Sequence, residues 1–183
     1  PATTDWAADG EFVPGSDEDG GGRWYYDKPV PQDGWPLKWN DEVSFTASCT
    51  PFRHLGFFPD MDPVWRWMRG EIDGVTEPHC MNLFGYTGVG TLALSSAGAQ
   101  MVHVDASKKS VAQARENAAL SGMSERPIRW IVDDAAKFVA REVRRERRYD
   151  GIILDPPKFG RGPEGEVWRL EEGLPGLISD CRK

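Results

Sequence analysis

The stretch NLFGYTGVGT, residues 82–91, follows a short apolar run and opens a run of small residues. We predict a strand over His79–Phe84 and a helix over Gly88–Ala97, which Gly98 ends. Glycines in a turn between strand and helix let the backbone come close to a ligand, and the start of the helix offers unpaired N–H groups. The stretch therefore predicts a ligand-binding turn; a tight turn without a ligand is the alternative.

Three further strand-helix units follow the turn. Their strands are predicted at Met101–Asp105, Ile128–Val132 and Gly151–Leu154, and Ser107 is expected to cap the helix after the first of them. Strands that alternate with helices predict an α/β fold with a doubly wound, mostly parallel, Rossmann-like sheet. The apolar run Gly151–Leu154 is expected in the middle of that sheet.

The sheet predicted from this chain has fewer strands than a doubly wound sheet usually has. We therefore expect the C-terminal strands to lie outside the chain, which would leave an exposed parallel edge. The Gly- and Pro-rich run after Asp155 is predicted to lead into a last helix near Leu177.

The N-terminal third of the chain has a different composition. Residues 1–22 are rich in Gly, Asp, Glu and Ser and predict a flexible segment. Residues 23–58 are rich in aromatics and prolines and predict a small β-rich appendage, with one strand over Val43, Phe45 and Ala47. Residues 59–183 are predicted to form the main domain, which begins with a helix capped by Asp62 and carrying Pro63 in its first turn.

Composition excludes several classes of protein. Charged residues make up 28% and hydrophobic residues 39% of the 183 residues, which is typical of a folded globular chain. The three cysteines form no CxxC pair, which favours a reducing, cytoplasmic setting over a disulfide framework or a zinc site. The net charge of −7 gives no global basic footprint for nucleic acid, although five arginines cluster within residues 141–148. That cluster predicts either a solvated helix face or a local phosphate-binding strip.

Two acidic positions follow the second and third strands. Asp105 comes 20 residues after Gly85, where a carboxylate can accept hydrogen bonds from both hydroxyls of a ribose. Asp133 and Asp134 follow the third strand, where a carboxylate or amide could meet the exocyclic amine of an adenine; Asp134 is favoured. In each case a helix cap is the alternative, and one aspartate can serve both purposes.

The sequence Asp155-Pro156-Pro157-Lys158-Phe159 directly follows the last apolar strand. Two successive prolines fix the backbone and remove two N–H donors. The turn presents Asp155 at the carboxyl ends of the strands, where open α/β sheets bind ligands. Phe159 could stack on a flat substrate, and Lys158 could contact phosphate or be solvated.

With these sites in order, the chain resembles the class I S-adenosylmethionine-dependent methyltransferases, and among them the bacterial large-subunit rRNA methyltransferase group. The resemblance covers residues 52–183. Its motifs are Phe57-Phe58-Pro59-Asp60, Asn82–Thr91, Val104-Asp105-Ala106-Ser107, Asp133-Asp134 and Asp155–Phe159.

The resemblance implies S-adenosylmethionine as cofactor and a base in RNA as the methyl acceptor. It implies cofactor contacts by Phe58, Asp60, Asn82, Phe84, Gly85, Tyr86, Thr87, Gly88, Gly90, Thr91, Asp105, Ala106, Ser107, Asp133, Asp134 and Ala135. It further implies that Asp155, Pro156, Pro157, Lys158 and Phe159 border the methyl group and the target base. No metal is implied.

The motif is compatible with two reactions that differ in the atom that is methylated. Asp-Pro-Pro with a following aromatic suits an exocyclic amine, which could donate to Asp155 and to the Pro156 carbonyl. Similar motifs also occur in cytosine C5 enzymes, which need a nucleophilic cysteine. Cys181 is expected on the last helix in a packing role, and Cys49 and Cys80 are expected to be buried.

Three rival functions remain at this point. An NAD-dependent dehydrogenase would share the glycine turn and Asp105, but the spacing here is G-x-x-G-x-G, and hydride transfer has no role for Asp-Pro-Pro. A methyltransferase for small molecules or proteins would fit the acidic charge. A non-catalytic scaffold that keeps the cofactor fold is the third.

Overall fold

The structure is a computed structural model that describes residues 7–16 and 21–183. The strands of the described residues are β1 (Gly10–Pro14), β2 (Gly22–Tyr26), β3 (Trp35–Lys38), β4 (Ser44–Ala47), β5 (His79–Leu83), β6 (Gln100–Asp105), β7 (Ile128–Val132), β8 (Gly151–Leu154), β9 (Phe159–Arg161) and β10 (Val167–Arg169). The α-helices are α1 (Asp62–Glu71), α2 (Val89–Ser96), α3 (Lys108–Leu120), α4 (Ala135–Arg144) and α5 (Leu170–Cys181). None of these helices is both long and apolar enough to cross a membrane.

Four of the strands form a parallel sheet in the order β7-β6-β5-β8. The register aligns their carboxyl ends, because Leu83 of β5 lies opposite both Val104 of β6 and Leu154 of β8. Asp105, the last residue of β6, lies opposite Val132 of β7. The residues that follow these strands therefore share one edge of the sheet, and the predicted Rossmann-like fold is confirmed.

The core lies on both faces of this sheet because successive strand residues point to opposite sides. On one face Met81, Leu83, Val102 and Val104 pack against α4 and α5. On the other face Cys80, Met101 and Ile153 pack with residues of α1 and α2. Helices on both faces make the sheet doubly wound.

The position of β8 corrects one expectation. Its apolar run was expected in mid-sheet, but β8 lies at an edge of the sheet that the described residues form. Its side chains are apolar because both faces are covered: Ile152 and Leu154 pack toward α4 and α5, and Ile153 packs toward α1 and α2. The apolar composition of β8 is therefore explained by burial of both of its faces and not by a central place in the sheet.

The chain divides into two compact units, residues 1–37 with 46–59 and residues 38–45 with 60–183. In the first unit β1 pairs antiparallel with β2, so part of the segment predicted to be flexible forms a strand. Residues 1–6 and 17–20 of that segment lie outside the described residues. The predicted boundaries at residues 22 and 58 stay a prediction. Val43, Phe45 and Ala47 are all buried, as the alternation along that strand predicts.

Two helix starts differ from the expectation. Asp62 does not cap α1, because a 3-10 turn over Pro59–Met61 makes Met61 the N-cap. The Asp62 carboxylate instead accepts from Trp39 Nε1 at 2.6 Å and from Arg66 Nε at 2.8 Å. The last helix begins at Leu170 rather than near Leu177 and contains Pro175.

Candidate active site

The fold brings the glycine turn and the Asp-Pro-Pro turn to adjacent strand ends. β5 and β8 are neighbours, with β6 and β7 on the other side of β5. The chain order therefore reverses between β5 and β8, and in open α/β sheets ligands bind in the crevice outside such a point. Residues 84–88 follow β5 and residues 155–158 follow β8 at this place.

The turn after β5 has an uncommon backbone conformation. Phe84 and Tyr86 have positive φ angles of 56° and 48°, and Gly88 has a φ of 84°. Non-glycine residues in this region are strained and are found where the surrounding structure holds them. Here Gly85 N–H donates to the Val104 carbonyl at 3.0 Å, and Tyr86 N–H donates to Asp105 Oδ2 at 2.9 Å.

Glycine at position 85 is required by a close approach. A Cβ added there would lie 2.5 Å from Cε1 of His103, far inside van der Waals contact. At Gly88 a side chain is disfavoured for two reasons. The φ angle is positive, and an added Cβ would lie 2.8 Å from the Cβ of Ala114. These two glycines bring the turn down onto β6 and α3.

A buried polar group lies beneath the turn. Asn82 Nδ2 donates to Thr91 Oγ1 at 2.9 Å, and the same oxygen lies 2.9 Å from His103 Nδ1. Asn117 of α3 donates to the Thr87 carbonyl at 2.8 Å. The bond between Asn82 and Thr91 therefore joins β5 to α2, and the bond from Asn117 joins α3 to the turn. His103 and Asn117 were not predicted as site residues, because a lone polar residue in an apolar strand or helix carries no sequence signal.

We expect His103 to make stability depend on pH. Burial lowers the pKa of His103 to about 4, below the value of about 6.5 in an unfolded chain. Between these values the unfolded chain binds one more proton, so the free energy of unfolding falls as the pH is lowered, by at most about 1.4 kcal/mol per pH unit. The free energy of unfolding, measured with urea at several pH values between 7 and 4, should change less with pH in His103→Gln than in the wild type. A pH dependence of the unfolding free energy that is unchanged in His103→Gln would refute the assignment.

Asp105 bridges the turns after β5 and β6. Its Oδ2 accepts from Tyr86 N–H at 2.9 Å and its Oδ1 from Ser107 N–H at 2.8 Å. Burial raises the pKa of this carboxyl group. Each carboxylate oxygen has a second lone pair, so the group can still accept from two hydroxyls of a ligand. Ser107 also caps α3 by accepting from Ser110 N–H, as predicted, and Ala106 lies between the two residues.

The two aspartates after β7 have separate partners. Asp134 is the N-cap of α4 and accepts from Lys137 N–H at 2.9 Å. Asp133 accepts from Asp134 N–H at 2.8 Å and forms an ion pair with Arg141. Ala135 is buried at the start of α4. Both carboxylates therefore stabilise the start of α4 or its side chains, and their contact with an adenine stays a prediction.

Asp155 lies close to a second carboxylate. Partial desolvation, and then the charge of Asp60, raise the pKa of Asp155. Asp60 belongs to the same compact unit as the sheet. A carboxylate at this edge is suited to accept hydrogen bonds from an amine.

The rest of the Asp-Pro-Pro turn is anchored by residues that follow it. Trp168 Nε1 donates to the Pro157 carbonyl at 2.8 Å, and Leu170 N–H donates to the Lys158 carbonyl at 3.0 Å. The buried Trp168 ring also packs on Phe84, with 4.9 Å between the ring centroids. Trp168 thus contacts both turns of the crevice, although no sequence pattern predicted it.

Phe58 and the cysteines belong to other elements of the chain. Phe58 belongs to the first compact unit, where its ring lies 5.1 Å from that of His54, so its contact with a cofactor stays a prediction. Cys80 is buried, and Cys181 lies at the end of α5 packed against the core, as expected, whereas Cys49, which follows β4, is only partly buried and corrects the expectation for that residue. Among the described residues no group of three or more His, Cys, Asp or Glu is placed to hold a metal ion.

The family model described as "Conserved hypothetical protein 95" matches residues 62–163, which is more than half of the chain and includes both turns. The chain belongs to this family. A solved structure titled as a SAM-dependent methyltransferase from Agrobacterium tumefaciens is 45% identical, with a TM-score of 0.89 over 96% of this chain and 55% of that one. These matches confirm the resemblance to the class I S-adenosylmethionine-dependent methyltransferases.

Two curated relatives are named as ribosomal RNA large subunit methyltransferases. The methyltransferase K/L of Methylococcus capsulatus is 40% identical over 117 residues, 63% of this chain and 15% of the relative. The methyltransferase I of Tolumonas auensis is 34% identical over 154 residues, 84% of this chain and 35% of the relative. The chain therefore spans only a minor part of the length of these relatives.

Proposed function

We propose that the chain binds S-adenosylmethionine and takes part in methyl transfer to a base in RNA, with ribosomal RNA as the substrate. The observation that carries this proposal is the common edge of the sheet at which the glycine turn, Asp105 and Asp155 follow aligned strands. The names of the relatives support both the cofactor and the RNA substrate.

The residues at this edge fit the cofactor. The glycine turn brings backbone groups close to the crevice for the methionine end, and the carboxylate of Asp105 has lone pairs left for the ribose hydroxyls. Asp133, Asp134 and Ala135 lie at the end of β7, where we place the adenine. When bound, the cofactor supplies a methyl group that its sulfonium has already activated.

The protein's part in transfer is to orient the acceptor. Asp155 and the carbonyl of Pro156 would accept hydrogen bonds from an exocyclic amine and align its nitrogen with the methyl group; positioning of this kind lowers barriers by several kcal/mol. The anchoring of Pro157 and Lys158 by Trp168 and Leu170 fixes this turn.

Two of the cysteines in this chain, Cys80 and Cys181, are poorly suited to act as the nucleophile of a cytosine C5 reaction. A C5 reaction needs a thiolate, and burial raises the pKa of Cys80 to about 11 and also raises that of Cys181. Both groups are therefore thiols at neutral pH. The same three unpaired cysteines support a cytoplasmic location for the protein.

A methyltransferase acting on a small molecule or a protein is the second candidate. The net charge of −7 favours it, because a polyanionic substrate would be repelled at long range. Transfer of labelled methyl groups to total RNA, ribosomal subunits, protein and small metabolites separates the two candidates. Label in RNA alone supports the first, and label in the other fractions alone supports the second.

We expect Asp155→Asn to lower kcat/KM for methyl transfer by about 10- to 100-fold, because a charge-assisted hydrogen bond to the acceptor is lost. Wild-type transfer should rise with pH through a pKa above the ordinary value of an aspartate, since the carboxylate is the acceptor form. The control is Asp150→Asn, at the amino end of the sheet. Wild-type rates in Asp155→Asn would exclude this role.

A further inference from the structure

The β9–β10 hairpin after the Asp-Pro-Pro turn has two different faces. Its antiparallel register places Phe159 opposite Arg169 and Arg161 opposite Val167. Because side chains alternate along each strand, these four residues share one face, while Trp168 points to the core. We call the four residues the outer face; all are exposed, Phe159 to 46% and Val167 to 54%.

The outer face combines an aromatic ring with two cations. The guanidinium carbons of Arg161 and Arg169 lie 5.9 Å and 5.6 Å from the centroid of the Phe159 ring. Arg169 has an acidic neighbour, Glu172, whose carboxylate is 3.9 Å away. Both partners of that pair are exposed, and a pair of this length in water is weak. The two arginine side chains can therefore reorient and form ion pairs with an anionic ligand.

The acidic residues of the hairpin turn are paired on another side. Lys137 of α4 forms ion pairs with both Glu164 and Glu166. These pairs offset negative charge that would otherwise lie beside the outer face. Together with the hydrogen bond from Trp168 to Pro157, they attach the hairpin to α4 and to the Asp-Pro-Pro turn.

We propose that the outer face binds a single-stranded segment of the RNA that carries the target base, an inference that rests on the proposed function. One base would stack on Phe159, and neighbouring phosphates would pair with Arg161 and Arg169. Stacking on an exposed aromatic flanked by arginines is how proteins hold unpaired nucleotides, whereas the bases of a duplex are not accessible to such stacking. The hairpin directly follows Asp155-Pro-Pro, so a strand bound here passes the crevice.

The test is fluorescence anisotropy with a labelled single-stranded RNA of mixed sequence and about 16 nucleotides, titrated with the 183-residue chain at several salt concentrations. In Arg161→Gln/Arg169→Gln the plot of log K against log salt should become less steep by roughly 1.4, the value for two lost phosphate contacts on a single strand. Arg161→Lys/Arg169→Lys should keep the slope. Phe159→Leu should weaken binding roughly tenfold with little change in slope.

The matched control is Arg144→Gln/Arg148→Gln, which removes the same charge from the arginine cluster around the end of α4. Equal or greater loss in this control would overturn the proposal, as would equal competition by duplex RNA or no RNA binding by the wild type. Calorimetry with S-adenosylhomocysteine on the same proteins separates the two hypotheses. Cofactor binding without RNA binding defeats the outer-face inference alone, whereas RNA binding without cofactor binding defeats the proposed function.

Discussion

Replacing Asp105 with alanine is expected to weaken S-adenosylhomocysteine binding at least about 100-fold. Two charge-assisted hydrogen bonds to ribose hydroxyls would be lost, each worth roughly 1.5–3 kcal/mol. The same change removes the acceptor of Tyr86 N–H and Ser107 N–H, so the turn would also lose the contact that holds it toward β6. Isothermal titration calorimetry measures the loss.

Asp105→Asn perturbs the turn less than Asp105→Ala does. The amide keeps the shape and one acceptor oxygen, so only one of the two backbone N–H groups loses its acceptor, while the ribose loses a charged partner. The control is Asp150→Asn, because Asp150 also accepts from a backbone N–H, that of His79 at 2.8 Å, but at the opposite end of the sheet. Wild-type affinity in both Asp105 variants would show that the carboxylate serves only the turn.

Gly85→Ala is expected to abolish cofactor binding and to lower the free energy of unfolding by about 1–3 kcal/mol, the usual cost of overpacking a core. The new methyl group would lie 2.5 Å from Cε1 of His103, whose side chain is fully buried and lies 2.9 Å from Thr91 Oγ1, so we expect the turn to be displaced. Urea unfolding gives the stability, and calorimetry with S-adenosylhomocysteine gives the affinity.

Gly70→Ala is the matched control for this substitution. Gly70 lies inside α1, and an added Cβ meets nothing within 4 Å. The control should bind the cofactor normally and gain up to about 1 kcal/mol, since alanine is the better helix former. If Gly85→Ala behaved like Gly70→Ala, the close approach of the turn to His103 would not matter for function.

Local sequence patterns predicted the parts of the site that depend on local structure. The glycine turn, the alternation of strands and helices, and the Ser107 cap follow from spacing and residue type within a few positions. Asp105 could be found because its place at the end of β6 follows from the strand prediction. The register then brings it beside the turn after β5.

Features that depend on distant contacts could not be predicted. The strands β9 and β10 have three residues each and lie in a run rich in glycine, so no alternation could be recognised. Trp168 matters through contacts with Pro157 and Phe84, which a linear pattern does not contain. His103 is a lone polar residue in an apolar strand, and only the packing of Gly85 on its ring reveals its role.

The start of α5 shows how packing overrides local preference. Pro175 and the nearby glycines predicted a helix that begins only after them, yet the helix begins at Leu170. Leu170, Leu174 and Leu177 pack on the core, which offsets the unfavourable residues. Gly173 itself is explained by Trp168, because a Cβ there would lie 2.6 Å from the indole ring.

We expect the edge formed by the turns after β5, β6 and β8 to bind S-adenosylmethionine, and calorimetric titration of the wild-type chain with S-adenosylhomocysteine, with NAD as the control ligand, measures this binding. The expected result is micromolar binding of S-adenosylhomocysteine and no heat with NAD. Binding of NAD, or of neither ligand by a folded chain, would contradict it.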